Sequence, residues 1–238
     1  MSVNPTAATG FQRGADAYER ARPSYPAAVV ELLPSSGTIV DVAAGTGKLT
    51  RLLPGHVIAI EPVVAMRAIA AGFAPTVASL AEQLPLRDGC ADAVTVAQAF
   101  HWFDAPRALT EIARVLRPGG TLLLVWNDRD QRVPWVEAYS AIVHAHDPGT
   151  AYESDLDYAP VVAASGLFTP LERTDADNPQ PGVTVDIVVQ RALSTSYIAS
   201  SDASVQAQVE RDIRALLAGF EEPFDLPYVT KIYTCTRS

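Results

Sequence analysis

The run Val40-Asp41-Val42-Ala43-Ala44-Gly45-Thr46-Gly47-Lys48-Leu49-Thr50 joins an apolar stretch to a glycine turn and then to a helical pattern. Residues of these types in this order build a strand-to-helix loop suited to a nucleotide-like ligand. Gly45 and Gly47 let the backbone turn tightly and approach a ligand, and Ala43 and Ala44 keep side chains out of the way. Glu61 ends the next apolar run, His56-Val57-Ile58-Ala59-Ile60, at roughly the ~20-residue offset at which an acidic side chain reaches a ribose diol. The loop and the acid together say more than either alone.

Three cofactor readings compete for this loop. A dinucleotide fingerprint, G-x-G-x-x-G/A, needs a small third residue, and Thr50 stands there. A Walker loop would put its first glycine at Val42 and its magnesium-binding hydroxyl at Leu49, so it fails twice. What remains is Asp41-x-x-x-Gly45-x-Gly47.

The elements that must hold these residues alternate apolar runs with amphipathic ones, the pattern of a parallel sheet covered by helices on both faces. Strands are expected near residues 38–42, 56–60, 76–79, 92–97 and 121–126. Between the last two lies a helix that Asp104 caps, with Pro106 in its first turn. Leu109, Ile112, Ala113 and Leu116 form its apolar stripe, and Pro118-Gly119-Gly120 stops it. Further on, Val136, Tyr139, Ser140 and Val143 trace one helical face, and Val205, Val209, Ile213, Leu216, Leu217 and Phe220 trace another. Residues 183–193 fit strand and helix equally. Tyr228 to Thr236 alternates as a strand, most easily placed as a hairpin partner at the sheet edge.

At 238 residues the chain suits one domain, 1–238, with a large core. Its net charge of -9 provides no basic footprint for phosphate, so neither nucleic acid nor an anionic membrane surface is expected as a partner. Cys90 and Cys235 offer no metal-ligand spacing, and no metal is expected. The N-terminus lacks a signal peptide's basic start and apolar core, and the longest strongly apolar run, Thr121 to Trp126, is too short to span a bilayer. The expectation is a cytoplasmic protein.

Asp41-x-x-x-Gly45-x-Gly47 resembles motif I of the class I methyltransferases that bind S-adenosylmethionine. The chain as a whole is similar to their type 11 small-molecule group, related to the trans-aconitate and ubiquinone-pathway enzymes. The likeness is carried by Tyr18-Glu19-Arg20-Ala21-Arg22-Pro23-Ser24-Tyr25-Pro26, Ile60-Glu61-Pro62 and Ala81-Glu82-Gln83-Leu84-Pro85-Leu86. It continues in Gln98-Ala99-Phe100-His101-Trp102-Phe103-Asp104, Arg114-Val115-Leu116-Arg117-Pro118-Gly119-Gly120 and Trp126-Asn127. The resemblance implies an α/β, Rossmann-like fold, with a seven-stranded, mostly parallel sheet of order 3-2-1-4-5-7-6 whose seventh strand is antiparallel. It divides the chain into an N-terminal lid (1–30), a cofactor-binding half (31–130) and substrate-side helices with C-terminal strands (131–238).

The same resemblance assigns cofactor contacts. The methionine part would lie against Ala43, Gly45 and the backbone near Ala97 and Gln98, with Gly47 in the same cofactor-binding loop. Glu61, followed by Pro62, would accept both ribose hydroxyls through charge-assisted bonds. Asp41 would orient the loop and the ammonium group. Ala81 and Glu82 would border the adenine, with Leu80 standing where relatives often carry a polar residue. Tyr18, Arg22 and Tyr25 fit either a lid whose Arg22 pairs with the cofactor carboxylate or a helix terminus packed on the sheet.

On the acceptor side, His101 lies just past the carboxyl end of the fourth strand, where ligands bind in open α/β sheets. A hydroxyl or ammonium acceptor must lose a proton, and an imidazole can take it; a carboxylate acceptor needs no base. Trp102, Trp126, Trp135 and Tyr197 are candidates for the wall of an apolar acceptor pocket, next to Asn127. Arg129 could hold an acidic acceptor. Alternatives are a cofactor-binding protein that does not methylate and an NAD-dependent oxidoreductase.

Overall fold

The computed structural model describes residues 22–147 and 157–238. The five expected strands form as β1 (Thr38–Val42), β2 (His56–Ile60), β3 (Thr76–Val77), β4 (Ala91–Ala97) and β5 (Leu116–Arg129). After them come β6 (Glu172–Asp177), β7 (Gln180–Val183), β8 (Phe224–Leu226) and β9 (Tyr228–Thr236). Among the described residues, seven strands make the main sheet in the order β3-β2-β1-β4-β5-β9-β6, and β7 and β8 pair separately. Only β9 runs against its neighbours. Counted within the main sheet, this is the expected order 3-2-1-4-5-7-6 with its antiparallel seventh strand.

Period-2 alternation sorts side chains onto the two faces of the sheet. Val40, Val42, Val94, Val96, Leu122 and Leu124 pack on one side, against α3 (Ala105–Val115) and α5 (Ala159–Ser165). Ile39, Ala93, Leu123, Val125 and Ile232 pack on the other, against α1 (Ala27–Glu31). α2 (Val64–Ala70) follows β2. A further apolar cluster is built by α4 (Pro134–His144), α6 (Val185–Leu193), α7 (Ser196–Ala199) and α8 (Ala203–Leu216). It begins directly after the carboxyl end of β5.

The α3 signals work as expected. Asp104 caps the helix through the Arg107 N–H, and the chain leaves helical geometry at Leu116, two residues before Pro118. Val136, Tyr139, Ser140 and Val143 are the buried face of α4.

Two expectations need correction, and one open choice is decided. The C-terminal strand β9 does not take the sheet edge: it lies between β5 and β6, pairing with both. The edge falls to β6, whose charged sequence is almost wholly exposed, the composition that guards an open edge. The helix expected after Gly47 is a single 3-10 turn, Thr50–Leu52, because Pro54 forces Leu53 out to an extended backbone. Residues 183–193 divide, with Val183 closing β7 and Thr184 capping α6 by accepting the Ile187 N–H.

Among the described residues no helix is long and apolar enough to cross a membrane. Both cysteines are free, and burial pushes the Cys235 thiol up to about 12, which leaves it protonated and inert.

Candidate active site

The strand order reverses between β1 and β4, and the crevice at such a switch point is where open α/β sheets bind ligands. The backbone is strained on both sides of it. Ala43, one residue past β1, has φ 56°, and Gln98, one residue past β4, also has φ 56°. For residues with a Cβ this left-handed conformation costs on the order of 1 kcal/mol or more, and such strain collects at ligand sites. The Ala44 N–H donates to the Ile60 carbonyl at 3.0 Å, tying the turn to β2.

The two glycines have different reasons to be glycine. Gly45 has φ 59°, and a Cβ there would meet only the Met66 sulfur at 3.9 Å, so its side is open. Gly47 has φ 82°, and a Cβ would press to 3.1 Å from the Phe73 ring and 3.2 Å from Ala70 Cα. Gly45 gives access; Gly47 lets the loop pack on α2 and the turn after it.

Glu61 is buried at the carboxyl end of β2. Its Oε2 accepts the Gly45 N–H at 2.8 Å and its Oε1 accepts the Val63 N–H at 2.7 Å. Burial raises its pKa, while these amides and the nearby Arg67 guanidinium pull the other way. Arg67 also clamps the turn by donating to the carbonyls of Glu61 and Pro62 at 2.9 and 2.8 Å. Each Glu61 oxygen retains a lone pair beyond its backbone amide. The carboxylate can therefore receive a diol while holding the glycine loop, and the residues present fit an adenosyl cofactor.

Asp41 has another task. Its oxygens accept from Thr50 Oγ1 at 2.6 Å and Thr95 Oγ1 at 2.8 Å, with no exposed surface. It pins β1, β4 and the 3-10 turn together beneath the loop. Burial pushes its carboxyl up to about 6, although both hydroxyls favour the charged form. Thr50, which spoils a dinucleotide fingerprint, is thus needed here as a donor.

At the β4 exit, the Gln98 N–H donates to the Val125 carbonyl at 2.9 Å, and Nε2 donates to the Asn127 carbonyl at 3.2 Å. A 3-10 turn, Phe100–Trp102, then carries a half-buried His101 whose ring lies 4.6 Å from that of Trp102. Ala81 is buried, and Glu82 accepts the Asp104 N–H at 2.9 Å, joining the loop after β3 to the start of α3.

The expected acceptor wall does not assemble as one surface. Trp126 is 1% exposed, stacked on Tyr158 at 4.7 Å, and belongs to the main core. Trp135 and Tyr197 pack in the helical cluster of α4 and α6 to α8, Trp135 edge-on to Phe220 and Phe224. Trp102 stands 41% exposed. The separation follows from β5: Trp126 points to its α3 face, whereas Trp135 starts the helix beyond it. Arg129 lies over the Tyr139 ring at 4.9 Å and contacts His144 Nε2 at 3.0 Å, so packing accounts for its place. The Asn127 side chain is taken up by Ser24, Asn178 and Thr230.

Of the N-terminal candidates, Tyr18 lies outside the described residues. Arg22 is half-buried, and Tyr25 packs against the α1 core. Thr95, Arg67, Asn178 and Thr230 were not singled out from the sequence. Thr50 had a local signal, since it occupies the third position of the glycine pattern; the others had none.

The chain matches the family profile described as a methyltransferase domain over residues 40–124. An uncharacterized methyltransferase of Mycobacterium tuberculosis (strain H37Rv) is 38% identical over 247 residues, 96% of this chain and 94% of that one. The 23S rRNA (guanine(748)-N(1))-methyltransferase of Streptomyces fradiae is 36% identical over 149 residues, 58% of this chain and 51% of that one. Among solved structures, a phosphoethanolamine N-methyltransferase 2 of Haemonchus contortus, solved with phosphomonomethylethanolamine and S-adenosylhomocysteine, has a TM-score of 0.60. It is 13% identical, covering 99% of this chain and 60% of that one, a likeness of fold.

Proposed function

The chain belongs to the class I S-adenosylmethionine-dependent methyltransferases, and from that premise we propose that it methylates a small acceptor bearing a carboxylate or hydroxyl. The observation that carries the cofactor part of this reading is the Glu61 carboxylate at the end of β2, bonded to the N–H of Gly45 beside the crevice whose walls turn at the left-handed Ala43 and Gln98. When bound, S-adenosylmethionine supplies an electrophilic methyl group on a sulfonium.

The protein's own work is to hold, align and exclude water. Glu61 accepts the ribose hydroxyls, and Ala81 and Glu82 border the adenine. Ala43, Gly45, Ala97 and Gln98 offer backbone to the methionine end, and Arg22 meets its carboxylate. Asp41 acts beneath the loop, through Thr50 and Thr95. Alignment of an in-line displacement can lower the barrier by ~7–11 kcal/mol, and no covalent step on the protein is needed.

With a hydroxyl acceptor, His101 takes the proton; with a carboxylate, it only orients. The net charge of -9 disfavours RNA as the substrate.

Scanning small acids, phenols, amines and an RNA hairpin for transfer of labelled methyl tests the reading. Transfer to an acid or phenol supports it. Transfer only to amines or RNA would overturn the acceptor class.

A further inference from the structure

Carboxamides from two distant parts of the chain converge on one backbone carbonyl. The Ser24 carbonyl accepts from Asn127 Nδ2 at 3.0 Å and from Asn178 Nδ2 at 2.8 Å. Asn127 Oδ1 in turn accepts from Thr230 Oγ1 at 2.6 Å and from Asn178 Nδ2 at 3.1 Å. Asn178 is held by its own N–H, which donates to the Tyr228 carbonyl at 2.8 Å. Because the Asn127 carbonyl accepts from Gln98 Nε2, one network runs from the strained turn after β4 to residues 22–26.

This network does more than tie down a loop. A carbonyl has two lone pairs, and here side-chain donors approach it from β5 and from the end of β6. Pro23 and Pro26 flank Ser24 and Tyr25, and each fixes its own φ, so pinning the Ser24 carbonyl sets the direction of the whole segment. Arg22 lies two residues upstream, within about 7 Å along the chain.

We propose that Asn127 and Asn178 are positioning residues for the cofactor: they fix Ser24, and through it set Arg22 against the carboxylate of the cofactor's amino-acid end. The inference rests on the reading of Arg22 given above. Only the amino-acid end of the ligand depends on the clamp; the adenosine end is held by Glu61, Ala81 and Glu82.

Two ligands separate the ends. S-adenosylhomocysteine carries the amino-acid group, and 5′-methylthioadenosine has the same adenine and ribose without it. Calorimetry on Arg22→Ala, Asn178→Ala, Asn178→Asp and the double variant Arg22→Ala/Asn178→Asp, each checked by thermal melting, should show one pattern. Arg22→Ala and Asn178→Asp weaken S-adenosylhomocysteine about tenfold, leaving 5′-methylthioadenosine within about twofold. Asn178→Asp, which turns an acceptor toward the Ser24 carbonyl, exceeds Asn178→Ala, and the double variant is no weaker than Arg22→Ala. Full affinity in Arg22→Ala would refute the reading of Arg22 and this inference with it. Loss in Arg22→Ala but not in the Asn178 variants would refute the clamp alone. Equal weakening of both ligands, or an additive double variant, would show that Asn178 acts on the fold and not through Arg22.

Discussion

Burial lifts the Asp41 carboxyl from 3.8 to about 6, and that has a sign. A group whose folded pKa is raised stabilises the fold fully below its unfolded value and loses that contribution as pH climbs through the folded one. Between about pH 4 and 6, Asp41 therefore removes stability as it ionises, about 3 kcal/mol for a shift of this size. Asp41→Asn keeps the shape and cannot ionise. Denaturant melts at several pH values should show the difference between wild type and variant changing across that window; a constant difference would contradict the raised pKa.

His101 separates the acceptor classes. If a hydroxyl is methylated, His101→Ala lowers turnover by about 10² to 10⁴ and keeps cofactor affinity. If a carboxylate is methylated, turnover changes little. Steady-state kinetics on the acceptor found by the methyl-transfer scan decides between them.

At the scale of elements, the glycine loop combines two functions that mutation can pull apart. Gly45→Ala places its Cβ in open space near Met66, so its cost to the fold is the left-handed φ alone, on the order of 1 kcal/mol. It should mainly weaken S-adenosylhomocysteine binding. Gly47→Ala adds a crowded contact with Phe73 and Ala70 to the same backbone penalty, and should lower stability by about 2–3 kcal/mol. Paired melts and calorimetric titrations check this; the reverse order of stabilities would mean the loop is packed differently. The elements also show what was legible in sequence. β1, β2, β4 and α3 follow local patterns, and their limits come out close to expectation. The place of β9 does not, because it depends on pairing with β6, itself an irregular and charged stretch with no strand alternation.

For the whole molecule, the site divides along the same line. Glu61 and the glycine loop are separated by a spacing that a sequence shows directly. The Asp41–Thr95 bond spans 54 residues and the Thr230–Asn127 bond 103, distances that only the folded sheet closes. Nor could composition say that Trp126 and Trp135 would fall into separate clusters, since both are simply aromatic residues near an expected pocket. Sheet order, loop and acid converge on one ligand, and that convergence is the claim most worth testing. The direct measurement is calorimetric titration of S-adenosylhomocysteine into wild type and Glu61→Ala, with melting curves to verify that both are folded. Loss of charge-assisted bonds worth roughly 1.5–3 kcal/mol each predicts that the variant binds at least tenfold more weakly. A wild type that does not bind S-adenosylhomocysteine, or a folded Glu61→Ala with undiminished affinity, would contradict the account.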